Sequence, residues 1–339
     1  MKHTTKKLAA LLLAALLVLG LAACGETTET VAENPPETSS ETSNTAIPVV
    51  GISQYGEHPS LDNCREGFLQ GLAEAGLVEG TDYTVNYQNA GFDDNIAMQI
   101  GQNFSANNVA LMCAIATPSA TACYAAAEDK NIPVIFTAIT DPAAAGLTAG
   151  GATGTSDKLP VEAQLELIRA LQPEAKKIGI LYTVSEPNSV SAIAEYKEKA
   201  PDFGFEIVDI GVTAQSEVTQ ATDQILTKDV DCLSNLTDNN VVGVLASVLE
   251  KTDAAGIPVY GSEVEQVKIG CVAAAGIDYV ALGRQTGAMA AKILRGEATA
   301  DEIPFETISE YGIYVNSSAL ARMNLTVPED LAGRAVEAE

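Results

Sequence analysis

From residue 47 onward, short apolar runs alternate with stretches whose apolar positions recur at helical spacing. Runs at 47–53, 83–88, 109–116 and 132–139 predict strands in the first half, and runs at 177–182, 205–210, 230–236, 257–260 and 269–275 predict them in the second. Helical patterning covers, among others, 61–75, 119–130, 160–171, 240–255 and 279–294. Strands that are apolar on both faces and joined by helices belong to parallel sheets covered on both sides, so the fold class is α/β. The two halves echo each other. Residues 109–116 lead into Thr117-Pro118-Ser119, a helix and Ile132-Pro133-Val134, while residues 230–236 lead into Thr237-Asp238-Asn239, a helix and Ile257-Pro258-Val259. About 290 residues in this pattern exceed one average domain and predict two similar, doubly wound lobes. Between them, Gly150-Gly151-Ala152-Thr153-Gly154 permits backbone rotation but lacks both G-x-G-x-x-G and GK[ST] spacing, so it reads as a hinge crossing rather than a phosphate loop.

The N-terminus has another pattern. Lys2, Lys6 and Lys7 precede an apolar run over residues 8–21, and the first acid is Glu26. At about fourteen residues, the run falls short of the roughly twenty that a membrane span needs. It ends in Leu21-Ala22-Ala23-Cys24, which resembles a bacterial lipobox. Residues 1–23 are therefore expected to be an export signal. Cys24 would be the lipidated residue, holding the chain at the outer face of the cell membrane. Residues 24–46, rich in Thr, Glu, Ser and Pro, cannot bury a core and read as a disordered tether.

Charge and cysteines narrow the function classes. The chain has 19 basic and 45 acidic residues, and loss of the first 23 residues would leave 16 basic against the same 45. Such a surface disfavours nucleic acid as a partner. Cys64, Cys113, Cys123, Cys232 and Cys271 are scattered and read as buried free thiols. The only histidines are His3 and His58, and no Cys/His spacing suggests a metal, so neither metal nor cofactor is expected.

Ligands of open parallel sheets bind beyond the carboxyl ends of the strands. In the first lobe those ends carry Tyr55, His58, Thr117, Ser119, Ala120, Thr137 and Asp141. In the second they carry Tyr182, Ser185, Asp238, Asn239 and Glu263, with Asp278 after a further strand. With Thr117 as a helix cap and Pro118 as the first helical residue, the amides of Ser119 and Ala120 would form an anion site. Asp238 and Glu263 across a cleft from that site suit a zwitterion, carboxylate on the first lobe and ammonium on the second. Asp238 fits a helix cap equally well. Tyr55, Tyr182 and His58 are candidates for the wall of a side-chain pocket.

The residues of Gln54-Tyr55-Gly56-Glu57-His58-Pro59-Ser60-Leu61-Asp62, Ala116-Thr117-Pro118-Ser119-Ala120 and Phe136-Thr137-Ala138-Ile139-Thr140-Asp141-Pro142 resemble those of the TrpX-type ABC substrate-binding proteins. So do Thr237-Asp238-Asn239 and Ala274-Ala275-Gly276-Ile277-Asp278-Tyr279 with Leu282-Gly283 after them. The resemblance runs from about Ile47 to Pro328. It implies a type I periplasmic-binding-protein architecture of two Rossmann-like lobes joined by three crossovers. Residues 47–154 with 276–303 would form the first lobe, and residues 155–275 with 304–339 the second. It also implies capture of a small ligand by hinge closure, with an ABC permease and an ATPase subunit as partners and the receptor itself a monomer. Members of the type bind aromatic amino acids, so an apolar or aromatic amino acid is the expected ligand. A sugar, nucleoside or other polar solute, or a sensing role, stays open as an alternative. Hydrolysis by paired carboxylates such as Asp238 and Glu263 is a remote third reading. Without a Ser/His/Asp set, no catalytic residue is assigned.

Overall fold

The structure, a computed structural model, describes residues 46–308 and 310–338. The export signal, Cys24 and the tether up to residue 45 lie outside the described residues. Five strands come first: β1 (Val49–Gln54), β2 (Thr84–Asn89), β3 (Leu111–Ile115), β4 (Val134–Thr137) and β5 (Ala152–Ser156). They pair in parallel in the order β2-β1-β3-β4-β5. The second half supplies β6 (Lys177–Thr183), β7 (Glu206–Val212), β8 (Cys232–Ser234), β9 (Val259–Tyr260) and β10 (Ala273–Gly276). Of these, β7-β6-β8-β9 form a parallel sheet. The Val272 amide donates to Val259 O at 2.8 Å and the Gly261 amide to Ala273 O at 2.9 Å, which attaches β10 beside β9.

Three short strands complete the sheets. β11 (Glu306–Thr307) returns to the first sheet and pairs with β5, while β12 (Gly312–Val315) runs antiparallel to β10 with β13 (Ala335–Glu337) at its side. The chain therefore crosses between the sheets three times: after β5, after β10, and between β11 and β12. β5 runs through the division expected after residue 154, and β11, beyond residue 303, also hydrogen-bonds into the first sheet.

The glycine-rich segment is not the hinge that its sequence suggests. Ala152–Ser156 is a strand, and the first crossing begins only after Ser156. Gly154 sits within it at φ 154°, where an added Cβ would lie 1.9 Å from Phe136 O. Glycine is required there for close strand packing and an unusual φ, not for hinge rotation. The predicted helix over 240–255 is also two helices, Asn239–Val242 and Leu245–Ala255, separated at Gly243 and Val244.

Helices cover both faces of the first sheet. On one face, the Thr137 and Thr155 hydroxyls meet Cys64 and Thr286, which belong to the helices Pro59–Glu74 and Tyr279–Leu294. On the other, the Phe104 ring of helix Asp94–Ala106 fills the space over Gly51. The Cys64, Cys113 and Cys123 thiols lie in this core, Cys232 and Cys271 lie in the second lobe, and all five are free and buried.

Helix Tyr279–Leu294 joins the first lobe through a close backbone contact. Gly67 and Gly71 face Gly283 and Gly287, four residues apart on each helix. A Cβ on Gly67 would lie 2.2 Å from Val280 O, and one on Gly283 would lie 2.2 Å from Cys64 O. Alanine in an open helix gains roughly 1 kcal/mol over glycine, but here the added methyl meets backbone that cannot move aside. Gly67→Ala and Gly283→Ala should each lower stability by about 1–3 kcal/mol. Gly333→Ala meets open space and should stay within about 0.5 kcal/mol of the parent. Denaturant midpoints compare them; an unchanged midpoint for Gly67→Ala would mean that the two helices do not sit this close.

Candidate functional site

The carboxyl ends of the two sheets face each other across a narrow cleft. The first-lobe side carries His58, Ser60 and Leu61 at the start of helix Pro59–Glu74, and Ala138 just past β4. Asp157 and Tyr279 join them from the first and second crossings. Thr237, Asn239, Val242, Glu263 and Gln266 face them from the second lobe. The lobes touch directly: Ser60 Oγ donates to Glu263 Oε1 at 2.9 Å, and the Thr140 and Thr237 hydroxyls pair at 3.0 Å. Beside the cleft, Ser191 Oγ donates to Asp141 Oδ2 at 2.7 Å.

Four carboxyl groups, Asp157, Glu263, Glu186 and Asp238, are buried at or behind this cleft. Asp157, 1 % exposed, accepts from the Thr140 hydroxyl at 3.0 Å and from the Tyr279 hydroxyl. Burial pushes its pKa up, against those two bonds. Glu263, also 1 % exposed, caps the helix Val264–Ile269 by accepting from the Glu265 and Gln266 amides. Burial raises it to about 7 despite those amides and Ser60. Glu186 lies behind the cleft and accepts from Asn188, Asn239 and Asn240. Burial, with Asp238 adding to it, raises Glu186 to about 8. Among the described residues no lysine or arginine is buried, so no protein cation offsets these acids.

Of the residues expected from sequence, the structure brings His58, Asn239 and Glu263 to the cleft. Asp238 goes elsewhere: it caps Asn239–Val242 and accepts from the Thr183 amide and hydroxyl and from Ser189. Its oxygens are saturated by lobe-two donors, so the helix-cap reading holds and the ammonium role falls. Thr137 is turned into the helix layer, where it accepts from Thr155. Tyr55 donates to Asp94 at 2.8 Å and meets Phe92 edge-on, one layer behind the cleft. Tyr182 lies beside Gly211 on the second sheet, and Ser185 is exposed. Asp278 is exposed and caps helix Tyr279–Leu294. Asp141 closes a turn through the Ala144 amide and lines a separate interlobe hollow. Burial opposes its ionisation, but the Ala144 and Ser191 bonds win and hold its pKa below the usual value.

The Thr117 turn is shifted by one residue from expectation. Its helix starts at Thr117, and the cap is Ala116 at φ 78°. The Ala120 amide is taken by Ala116 O at 3.0 Å, so the free donors of this first turn are the Thr117 and Ser119 amides. The Thr117 hydroxyl is buried without a partner, while the Ser119 hydroxyl accepts from Ser53. Both Ala116 and Ala138 hold positive φ at adjacent strand ends, a strain of the kind that collects at binding sites.

Asp157, Glu186 and Gln266 were not legible as site residues. Asp157 follows β5, whose Thr and Gly content hides the strand and so hides its carboxyl end. Glu186 carries a signal, since Glu186-Pro187 is the entrance to a helix.

The sequence model of a family described as ABC transporter substrate-binding protein matches residues 49–339. A tyrosine-binding protein of Clostridioides difficile is 35% identical over 327 residues, covering 95% of this chain and 93% of its own length. The structure of an ABC domain in complex with L-Trp from Streptococcus pneumoniae is similar with a TM-score of 0.82 at 30% identity, covering 86% of this chain and 99% of that one. The ligand-free, open structure of a C. difficile substrate-binding protein with adhesive properties gives a TM-score of 0.64 at 35% identity, covering 86% and 100%. With the two crossover-linked lobes and the cleft between them, these matches establish that the chain belongs to the ABC transporter substrate-binding proteins.

Proposed function

We propose that this chain is the extracytoplasmic receptor of an ABC importer, that it captures an aromatic amino acid between its lobes, and that it is lipid-anchored through Cys24. The observation that carries the ligand is the pair of buried carboxyls, Asp157 and Glu263, lining a closed cleft with no buried protein cation. Burying an unpaired carboxylate is costly, so a cationic group on the ligand is the natural complement. The α-ammonium of an amino acid supplies it. Leu61, Val242 and Tyr279 supply apolar wall for its side chain, and the free amides and hydroxyl of the Thr117 turn supply donors for its carboxylate. The closed arrangement fits the greater likeness to the L-Trp complex than to the open, ligand-free relative. The tyrosine and tryptophan named for the two relatives point the same way. A permease and an ATPase would receive the ligand. No helix among the described residues is long and apolar enough to cross a membrane.

L-Tyrosine or L-tryptophan at a hundredfold excess over its dissociation constant should stabilise the purified chain by about 2.7 kcal/mol in a thermal-shift assay. The N-acetyl derivatives, which lack the cation, should do nothing. A response confined to sugars or nucleosides would sink the amino-acid reading.

Asp157→Asn removes a charge that only the ligand offsets. It should weaken amino-acid binding by about tenfold or more, since a hydrogen bond to a charged group contributes roughly 1.5–3 kcal/mol. The same change should raise the stability of the ligand-free protein, and a variant that loses both affinity and stability would contradict the assignment.

The sign of the pH dependence follows from Glu263. Its pKa rises from 4.5 to about 7 on folding without ligand. Between these values the folded state binds more protons than the unfolded one, so this group's contribution to stability falls as pH climbs through that window. The ligand's ammonium must displace that proton. Affinity should therefore weaken by up to about tenfold per pH unit below about 7 and level off above it. Isothermal titration at pH 5.5, 6.5 and 7.5 measures the trend, and affinity that strengthens toward acid would refute it.

A further inference from the structure

The cleft that holds the carboxyl pair also holds polar groups that an amino-acid backbone does not explain. The His58 ring stacks on Phe92, with centroids 6.4 Å apart and planes 10° from parallel, and both ring nitrogens are buried without a hydrogen-bond partner. Burial holds the imidazole down at about 4, against Asn239 and Asp62, which favour its protonated form. The ring is thus neutral near pH 7 and offers one donor and one acceptor. Asn239 lines the same cleft, and its amide orientation is fixed from behind. Glu186 Oε2 already accepts from the Asn239 backbone amide at 3.3 Å and from Asn188 Nδ2 at 3.0 Å. The Asn239 NH₂ donates to the same oxygen at 2.7 Å, which leaves the Asn239 carbonyl oxygen unengaged by Glu186.

We propose that His58 and Asn239 form a neutral hydroxyl-recognition pair selecting a phenol-bearing amino acid, with Glu186 as the positioning residue that orients Asn239. This rests on the amino-acid reading given above. A hydroxyl both donates and accepts, so a phenol can donate to the Asn239 oxygen while accepting from the imidazole N–H. An indole N–H can only donate, and a phenyl ring can do neither, leaving both protein groups unpaired in a desolvated pocket. Sites built this way discriminate mainly through the cost of those unpaired groups. The order of affinity is then tyrosine, tryptophan, phenylalanine.

Isothermal titration of the parent, His58→Phe and Glu186→Ala with the three amino acids tests this. The parent should bind tyrosine at least about tenfold more tightly than phenylalanine, as one unmet buried hydrogen bond requires. His58→Phe keeps the stack on Phe92; it should lose that preference by weakening tyrosine alone, with phenylalanine held within about twofold. Glu186→Ala should lower the tyrosine-to-phenylalanine ratio, and Glu186→Gln, which keeps an acceptor oxygen, should restore it. A purely structural Glu186 would weaken all three ligands alike. Equal losses of tyrosine and phenylalanine in His58→Phe would show that His58 serves the ligand backbone, and would overturn the pair while leaving the amino-acid receptor intact. A parent that binds tyrosine and phenylalanine equally would overturn it too. A parent that binds no amino acid at all would remove the receptor reading itself.

Discussion

The rest of this site depends on one imbalance: acids are buried between two lobes and, among the described residues, no lysine or arginine is buried to meet them. Asp157 and Glu263 are each 1 % exposed with the lobes together, and neutral hydroxyls and amides surround them. Such donors ease the burial of a carboxylate without cancelling its charge. A chain with 45 acidic residues has ample reason to keep acids at its surface, which makes two in a closed cleft a strong constraint. On the reading proposed above, the ligand's ammonium would lie between them.

The same imbalance couples the site to the motion. Asp157 is the first residue of the first crossing, and Tyr279, which donates to it, follows the second. Glu263 is tied to that second crossing by a bridge to Ile277. The groups that meet the cation therefore sit on or beside the segments that must rotate when the lobes part. The close glycine contact between helices Pro59–Glu74 and Tyr279–Leu294 makes the far side of the second crossing rigid with the first lobe. Rotation is left to the few residues of the crossings themselves, where a change of angle moves Asp157 and Tyr279 with respect to the second-lobe acid.

Much of the fold was legible because its cause is local. Apolar runs gave nine strands near their observed places, and Tyr279–Leu294 matches its periodicity to the residue. What failed has physical reasons. β5 reads Ala-Thr-Gly-Thr-Ser, and its hydroxyls are buried only because Thr286 and Thr137 meet them, a long-range fact that no window of sequence holds. Asp157 was lost with it. At the site, Asp238 and Glu263 looked alike: each ends a strand and precedes a helix, and each proves to be a helix cap. Their difference lies in what else reaches them. Thr183 and Ser189 of the same lobe saturate Asp238, while Glu263 takes its remaining bond from Ser60 of the opposite lobe.

That difference also explains how a ligand can drive closure. A ligand shifts a conformational equilibrium only through contacts that differ between the two states. Asp238 is satisfied within one lobe, so opening the cleft changes nothing for it. Glu263 takes a bond across the cleft from Ser60 and, like Asp157, is shut off from water in this closed arrangement. Without a cation, three interlobe hydrogen bonds, Ser60–Glu263, Thr140–Thr237 and Ser191–Asp141, each contributing about 1 kcal/mol or more, work against that desolvation. With a cation in place, the two acids change from the term that opposes closure to the term that favours it. The closed state is thus poised by opposing terms of similar size, and the charge of the ligand decides which prevails.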